Sequence, residues 1–389
     1  MNILQICHKP PVPFQDGGCL AMDSITQGLL ELNVSVKVLT ISTPKHSFDA
    51  KSLPKVYIDS TAIESVYINT NLHPKDALVS LLKGVSYNVN RFYNKGFEEL
   101  IISTIRDQQF DVVHLESLFV LPYLQSIRNY FKGKVVLRTH NVEHQIWKNL
   151  AGSERDPVKR KYLNVLANQL EKYELIKLKQ VDGIASISAT DSKLFKQKGC
   201  KIPIVNIPFG LNVQADYSTN NNGLFFLGSL DWQPNIDGIN WLSKNVSKYL
   251  SQPVKIAGRN PSKKWALSST MKLVGEVEEA KQFMCDNGVM LVPLFSGSGI
   301  RIKILEAMSW GVPVVATAKA IEGLGVEHDK QVLITDDPKQ FADYSNQLLA
   351  DESKAKQLSQ NAYNFVKDNY DQHKLAKKLV SFYNELLSA

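Results

Sequence analysis

The chain has 389 residues, 44% of them hydrophobic and 21% charged, and a formal net charge of +7. That length excludes a single small module and predicts two or three domains, each large enough for its own core. Four cysteines, Cys7, Cys19, Cys200 and Cys285, show no paired spacing, and no run of about 18 apolar residues occurs. A disulfide scaffold and a membrane span are therefore not expected, and a reduced cytoplasmic chain is. The charge is uneven. Residues 1–210 hold 26 Lys/Arg against 19 Asp/Glu, an excess of 7, and residues 211–389 hold 19 against 19. A basic first half suits an anionic membrane surface or a phosphorylated lipid acceptor. Nucleic acid is the competing partner, but no binding motif for it is present.

In chain order, Ile3 to Cys7 reads as a buried first strand rather than a signal peptide, because no basic segment precedes it. A proline-rich loop follows and ends in Asp16-Gly17-Gly18. A helix to about Leu32 and a strand from Val34 to Ile41 complete a βαβ unit. Residues 75–106 keep helical spacing at Leu78, Leu81, Leu82 and Val85. There Lys75, Lys83, Arg91 and Lys95 interleave with Tyr87, Phe92, Tyr93 and Phe97. Two readings stand for this stretch, a core-edge helix and an interfacial patch that meets a bilayer.

Asp111 to His114 and Val135 to Leu137 read as buried strands, and the second runs into His140. Ligands of α/β proteins gather at the carboxyl ends of strands, which makes His140 a candidate. His140, Glu143 and His144 also match an inverted zinc-peptidase pattern. That pattern needs a helix to aim both histidines at one metal, and His140 stands at a strand end. A charged helix is expected over 158–180, mostly solvated, then strands Gly183 to Ser188 and Ile202 to Ile207. The polar run Ser218-Thr-Asn-Asn-Asn-Gly223 marks a domain boundary. Strands are expected over Leu224–Leu227, Val254–Ala257, Met271–Val274, Gly288–Pro293, Val312–Ala316 and Val332–Ile334. Three helical stretches, Pro338–Ala350, Glu352–Lys367 and His373–Ser388, end the chain.

The most informative stretch is Pro293 to Thr317. A strand ends near Pro293, the loop Ser296-Gly297-Ser298-Gly299 follows, and a helix runs from about Arg301 to Trp310. Glycines let a backbone approach a ligand, and a helix start offers unpaired N–H groups to an anion. Arg301 and Lys303 oppose the helix dipole there, a conflict that a bound anion relieves. Glu306 shares a face with Lys303 at i,i+3. A plain surface ion pair is the alternative for these two side chains. No Gly-Lys-Ser/Thr P-loop and no Gly-x-Gly-x-x-Gly fingerprint is present.

This stretch resembles the donor-site motif of glycosyltransferase family 4, retaining enzymes of the GT-B fold. The likeness extends to Leu227–Ile236, Ile256–Pro261 and Leu273–Val277. The family carries two glutamates eight positions apart. Glu306 matches the second, which in the family holds the donor's ribose, and the first falls on Ser298. A branch with Gly/Ser there, followed by Arg-x-Lys, is the better match. The resemblance implies two Rossmann-like domains with parallel sheets facing a cleft and a C-terminal helix crossing back. It places a histidine, here His140, against the reacting sugar, and puts the loop of Gly17 and Gly18 near the donor phosphates.

The expected domains are residues 1–208, a linker over 209–222, a donor-binding domain over 223–370, and a helix over 371–389 returning to the first domain. The expected activity is transfer of a sugar from a nucleotide-diphosphate donor, UDP- or GDP-linked, to a saccharide or lipid-linked acceptor. Cell-surface polysaccharide assembly is the expected setting. His140, Arg301 and Lys303 are the catalytic candidates. Gly299 and Ile300 amides would hold the diphosphate, and Gly275 to Val277 would line the base. Gly228, Ser229 and Arg259 lie at strand ends of the same domain. No cofactor and no metal is expected, because no Asp-x-Asp occurs. The expected location is cytoplasmic, with peripheral association at the inner face of the membrane. A sugar-nucleotide epimerase of the same fold, an inactive nucleotide-sugar binder and a zinc peptidase remain as alternatives.

Overall fold

The computed structural model describes residues 1–71, 80, 86–213, 222–261, 267–297 and 299–389. Ser298, Lys75, Lys83, Leu78, Leu81, Leu82 and Val85 lie outside the described residues. The chain divides into two compact units. Unit 1 comprises Met1–Gly210 with Gln372–Ala389, and unit 2 comprises Leu211–Asp371.

Unit 1 holds a seven-stranded parallel sheet. Its strands are β1 (Asn2–Cys7), β2 (Ser35–Ser42), β3 (Glu64–Tyr67), β4 (Val112–Glu116), β5 (Lys134–Thr139), β6 (Gly183–Ser186) and β7 (Ile204–Asn206), in spatial order β3-β2-β1-β4-β5-β6-β7. The central strands are buried on both sides, as a parallel sheet covered by helices on both faces requires. One face packs Leu4, Ile6, Val113, Leu115 and Leu137 against the helix Lys95–Asp107. On the other face Ile3, Val112, Val136 and Ala185 meet α1 (Gly17–Glu31) and the final helix of the chain, Gln372–Ser388. That final helix contributes Leu379, Phe382, Tyr383 and Leu386 to the core of unit 1.

Unit 2 holds a six-stranded parallel sheet. Its strands are β8 (Leu224–Leu227), β9 (Val254–Ala257), β10 (Met271–Gly275), β11 (Val289–Val292), β12 (Val314–Ala316) and β13 (Leu333–Ile334), in order β10-β9-β8-β11-β12-β13. The helices Gln233–Trp241, Ala280–Asn287, Ile302–Ser309, Pro338–Ala350 and Glu352–Asn369 cover it. Side chains cap several helix starts. Asp337 accepts from Gln340 N ahead of Pro338, and Asp351 accepts from Lys354 N. Each such cap contributes roughly 1 kcal/mol.

The stretch 75–106 differs from the interfacial reading. Its described residues include the helical turn Tyr87–Asn90 and the helix Lys95–Asp107. Tyr87, Phe92 and Phe97 are buried, the last at 0% exposure, and Tyr93 alone of the four aromatics is exposed. The aromatics are core residues, because a helical spacing of large side chains serves a core as readily as a bilayer. The helix Pro157–Leu178 is less solvated than its charges suggest, since it buries Leu166, Ala167, Leu170, Glu174 and Leu178. No helix among the described residues is long and apolar enough to cross a membrane.

Candidate active site

In unit 1 the carboxyl ends of β1, β4 and β5 bring three residues together. β1 delivers His8, β4 ends in Glu116, and β5 delivers His140. Glu116 is fully buried and receives four donors. Its Oε1 accepts from Gln5 Nε2 at 3.0 Å and from His114 Nε2 at 3.2 Å. Its Oε2 accepts from His140 Nε2 at 2.7 Å and pairs with Arg138 Nη1 at 3.5 Å. Thr26 Oγ1 donates to Gln5 Oε1 at 2.7 Å, which fixes the Gln5 amide. The Tyr383 hydroxyl meets His114 Nδ1, so the final helix ties into the same network. Burial acts to raise the Glu116 carboxyl. The Arg138 guanidinium and the imidazoles outweigh it and hold the group well below the usual carboxylate range. Burial lowers the His140 imidazole, with the Glu116 contact opposing.

Gly17 and Gly18 begin α1, but a carboxylate of the chain already occupies that helix start. Asp16 Oδ1 accepts from Gly18 N at 2.9 Å and Cys19 N at 3.1 Å. Lys9 Nζ lies 2.6 Å from Asp16 Oδ1, and His46 Nε2 lies 3.0 Å from Oδ2. Asp16, Cys19 and His46 form a grouping with metal-ligand spacing among the described residues, and the Lys9 ammonium stands against its carboxylate. His140 and His144 turn to different carboxylates. His144 Nδ1 meets Glu174 Oε2 at 2.6 Å at the start of the helix Glu143–Ser153. The zinc-peptidase geometry is therefore not formed by these two rings.

Unit 2 gathers the remaining candidates on the loops after β8, β9, β10 and β11. Gly228 N donates to Ala257 O at 3.1 Å, and Gly258 N to Gly275 O at 2.7 Å. A Cβ on Gly258 would stand 1.6 Å from Gly228 O, so only glycine lets these loops approach. Ser229 Oγ donates to Asp231 Oδ1 at 2.7 Å, and Asn260 Nδ2 donates to Oδ2 at 2.9 Å. Arg259 is exposed on the same loop. Gly275 has φ of +89°, and Val277 packs half-buried against the core.

After β11, Gly299 has φ of +85°, and Ile300 is half-buried against the core. The helix itself runs Ile302–Ser309, and no side chain among the described residues caps its start. Arg301 stands at the capping position, one step before the first turn where the sequence places it. Its Nη1 donates to Gly299 O, and its guanidinium lies 5.9 Å from the Trp232 ring. Burial lowers the Arg301 guanidinium from its ordinary range. A Cβ on Gly297 would meet the same Trp232 ring at 2.9 Å, so the indole packs directly on the loop. Lys303 Nζ lies 3.3 Å from Glu306 Oε2, with side chains 47% and 20% exposed. That oxygen is buried yet makes no hydrogen bond among the described residues, because the ammonium stands off its bonding direction.

Residues 221–351, which span the unit 2 sheet, match the family described as Glycosyl transferases group 1. The fold is the α/β GT-B fold. The chain superposes on sucrose-phosphate synthase from Thermosynechococcus elongatus with a TM-score of 0.67 at 14% identity, covering 100% of this chain and 99% of that one. It superposes on HepE from Anabaena, solved in complex with UDP, with a TM-score of 0.64 at 14% identity, covering 99% and 100%. In sequence it is 26% identical over 288 residues to an uncharacterized 44.6 kDa protein in the cps region of Klebsiella pneumoniae, over 69% of this chain and 73% of that one.

Glu116, His8, His114, Tyr383 and Trp232 are absent from the sequence-derived candidates. Glu116 left one signal, an acid closing an apolar run at Val112-Val113-His114-Leu115. Tyr383 left none, because its partner is 269 residues away.

Proposed function

We propose that the protein is a retaining glycosyltransferase of the family 4 type, moving a sugar from a nucleotide-diphosphate donor to a saccharide or lipid-linked acceptor. The observation that carries this reading is a coincidence of place. The group 1 glycosyl transferase match covers the same sheet ends where Arg301, Lys303 and Glu306 meet at an uncapped helix start. In this reading Glu306 takes the ribose, and Arg301, Lys303 and the amides of Gly299 and Ile300 hold the diphosphate. Ser298 stands where the resembled family has its first glutamate. As the donor's C1–O bond breaks, negative charge grows on the departing diphosphate. Fixed cations aimed at that charge stabilise the transition state more than the ground state. With no Asp-x-Asp in the chain, these two cations take the part a metal would play. His140, held by Glu116, is the catalytic candidate of unit 1.

The cps-region relative supports a setting in polysaccharide assembly. The charge excess of residues 1–210 supports peripheral attraction to anionic lipid, at about 1 kcal/mol per cation near the surface. Salt-sensitive co-sedimentation with anionic liposomes tests that attraction, and no binding at low salt would leave a soluble acceptor. A thermal-shift screen of UDP, GDP, TDP and ADP sugars tests the donor. A ligand at 100 times its Kd adds about 2.7 kcal/mol of stability. Conversion of donor without any acceptor would favour an epimerase, and binding without turnover an inactive binder.

A further inference from the structure

The hydrogen bonds around Glu116 dictate where each imidazole carries its proton. A carbonyl oxygen only accepts, so His8 Nδ1, 3.1 Å from the Glu116 backbone oxygen, must be the protonated nitrogen of His8. A carboxylate also only accepts. His140 Nε2, 2.7 Å from Glu116 Oε2, must therefore be the protonated nitrogen of His140. The opposite nitrogens, His8 Nε2 and His140 Nδ1, are then unprotonated. Neither has a hydrogen-bond partner among the described residues. The two rings stand edge to face with centroids 5.6 Å apart. Phe119 backs His8 at 5.7 Å, which leaves a rigid pair at the carboxyl ends of β1 and β5. Neither ring is fully enclosed.

We propose that Glu116 holds His8 and His140 in fixed, complementary tautomers, so that His8 Nε2 and His140 Nδ1 accept hydrogen bonds from two hydroxyl groups of a neutral sugar. His8 is thus a sugar-binding residue, and Glu116 is a positioning residue that acts through both rings. It holds His140 by its side chain and His8 by its backbone. Two features favour a hydroxyl over an anion. The unprotonated nitrogens offer lone pairs and no proton. Burial also lowers His8 well below its ordinary range, with His140 and Lys9 adding to the effect, and lowers His140, so neither ring supplies positive charge near neutrality. The sugar as occupant rests on the glycosyltransferase reading. The tautomers do not.

The test uses the full chain labelled with 15N-histidine, and long-range proton–nitrogen spectra at pH 7.5. His8→Phe and His140→Phe assign the two rings. The expected result is His8 protonated at Nδ1 and His140 at Nε2. Either ring in the opposite tautomer, or doubly protonated, overturns the proposal before any sugar is added. In Glu116→Gln, His140 should lose its single tautomer while His8, held by the backbone, keeps its own. Loss at both rings or at neither, with circular dichroism unchanged, overturns the positioning role. If that variant does not fold, the parent spectrum still decides.

The sugar arm compares UDP with UDP-glucose. His8→Phe keeps the ring packing and removes the acceptor, and should lower kcat/KM about tenfold, the scale of one hydrogen bond. UDP affinity should not change. His8→Gln, which places a carbonyl oxygen near the Nε2 position, should recover most of the loss. Equal activity in His8→Phe and parent overturns the sugar contact. Failure of every nucleotide sugar to bind overturns the glycosyltransferase reading instead, and leaves the tautomer result standing.

Discussion

Glu143 gives the sharpest stability prediction. It opens the helix Glu143–Ser153 and is 9% exposed. Asn141 Nδ2 donates to its Oε1 at 3.3 Å, and the buried Glu174 caps the same helix start by accepting from Glu143 N at 3.3 Å. Burial is the largest influence, and the Glu174 charge adds to it against the Asn141 contact. Together they push the Glu143 carboxyl up to about 7 from its ordinary 4.5. A raised carboxyl binds its proton more tightly folded than unfolded, so stability falls as pH rises. The contribution is fully present below the unfolded value of about 4.5 and is lost as pH climbs through about 7. At about 1.4 kcal/mol per unit, the loss is about 3 kcal/mol in all, with about 2 to 3 kcal/mol of it falling between pH 5 and pH 8. Glu143→Gln stays neutral at every pH and should erase that slope. The assay is urea unfolding of parent and variant at both pH values. Trp147, the one tryptophan of residues 1–210, reports on unit 1. A variant-minus-parent difference that is the same at pH 5 and pH 8 would refute the reasoning.

Three further outcomes are expected. Arg301→Ala or Lys303→Ala should lower turnover by roughly a hundred- to a thousand-fold, the scale of one lost transition-state contact, and near-normal rates in both folded variants would remove the clamp. Glu306→Gln should weaken nucleotide binding through the ribose without unfolding unit 2; calorimetric titration giving parent affinity would reduce Glu306 to a surface carboxylate. Activity should survive EDTA, and stoichiometric zinc lost together with activity would overturn the assignment of Arg301 and Lys303 as the metal's substitute.

The alternation of strands and helices was legible because its signals are local. Leu224–Leu227 is an apolar run between turn residues, and Asp337-Pro338 is a cap followed by a preorganised first turn. The pair Lys303 and Glu306 could be read from spacing alone. Strand β3 could not, because Glu64–Tyr67 is a short, half-exposed edge with no apolar run. Tyr87, Phe92 and Phe97 were ambiguous for a different reason. Periodicity reports that one face is apolar and not what covers it. The Glu116 network was the least legible part. Its members come from residues 5, 114, 138, 140 and 383, and only the parallel register of β1, β4 and β5, with the final helix packed on that sheet, makes them neighbours.

The buried pair of Glu116 and Arg138 is costly by itself. Both side chains are at 0% exposure, and removing two charges from water is repaid only where every lone pair and proton finds a partner. An apolar pair of similar volume would serve the core as well. Yet replacing Glu116 alone by leucine would orphan donors on Gln5, His114 and His140 at once, which costs about 1 to 3 kcal/mol for each buried group left unmatched. The carboxylate is therefore explained by what it orients rather than by what it stabilises. The same logic applies in unit 2. Lys303 and Glu306 are partly exposed and off hydrogen-bond geometry, so their attraction adds little to the fold. Each unit thus keeps, at the carboxyl ends of its strands, charged groups that stability does not require. That is the place where a parallel α/β sheet meets its ligands.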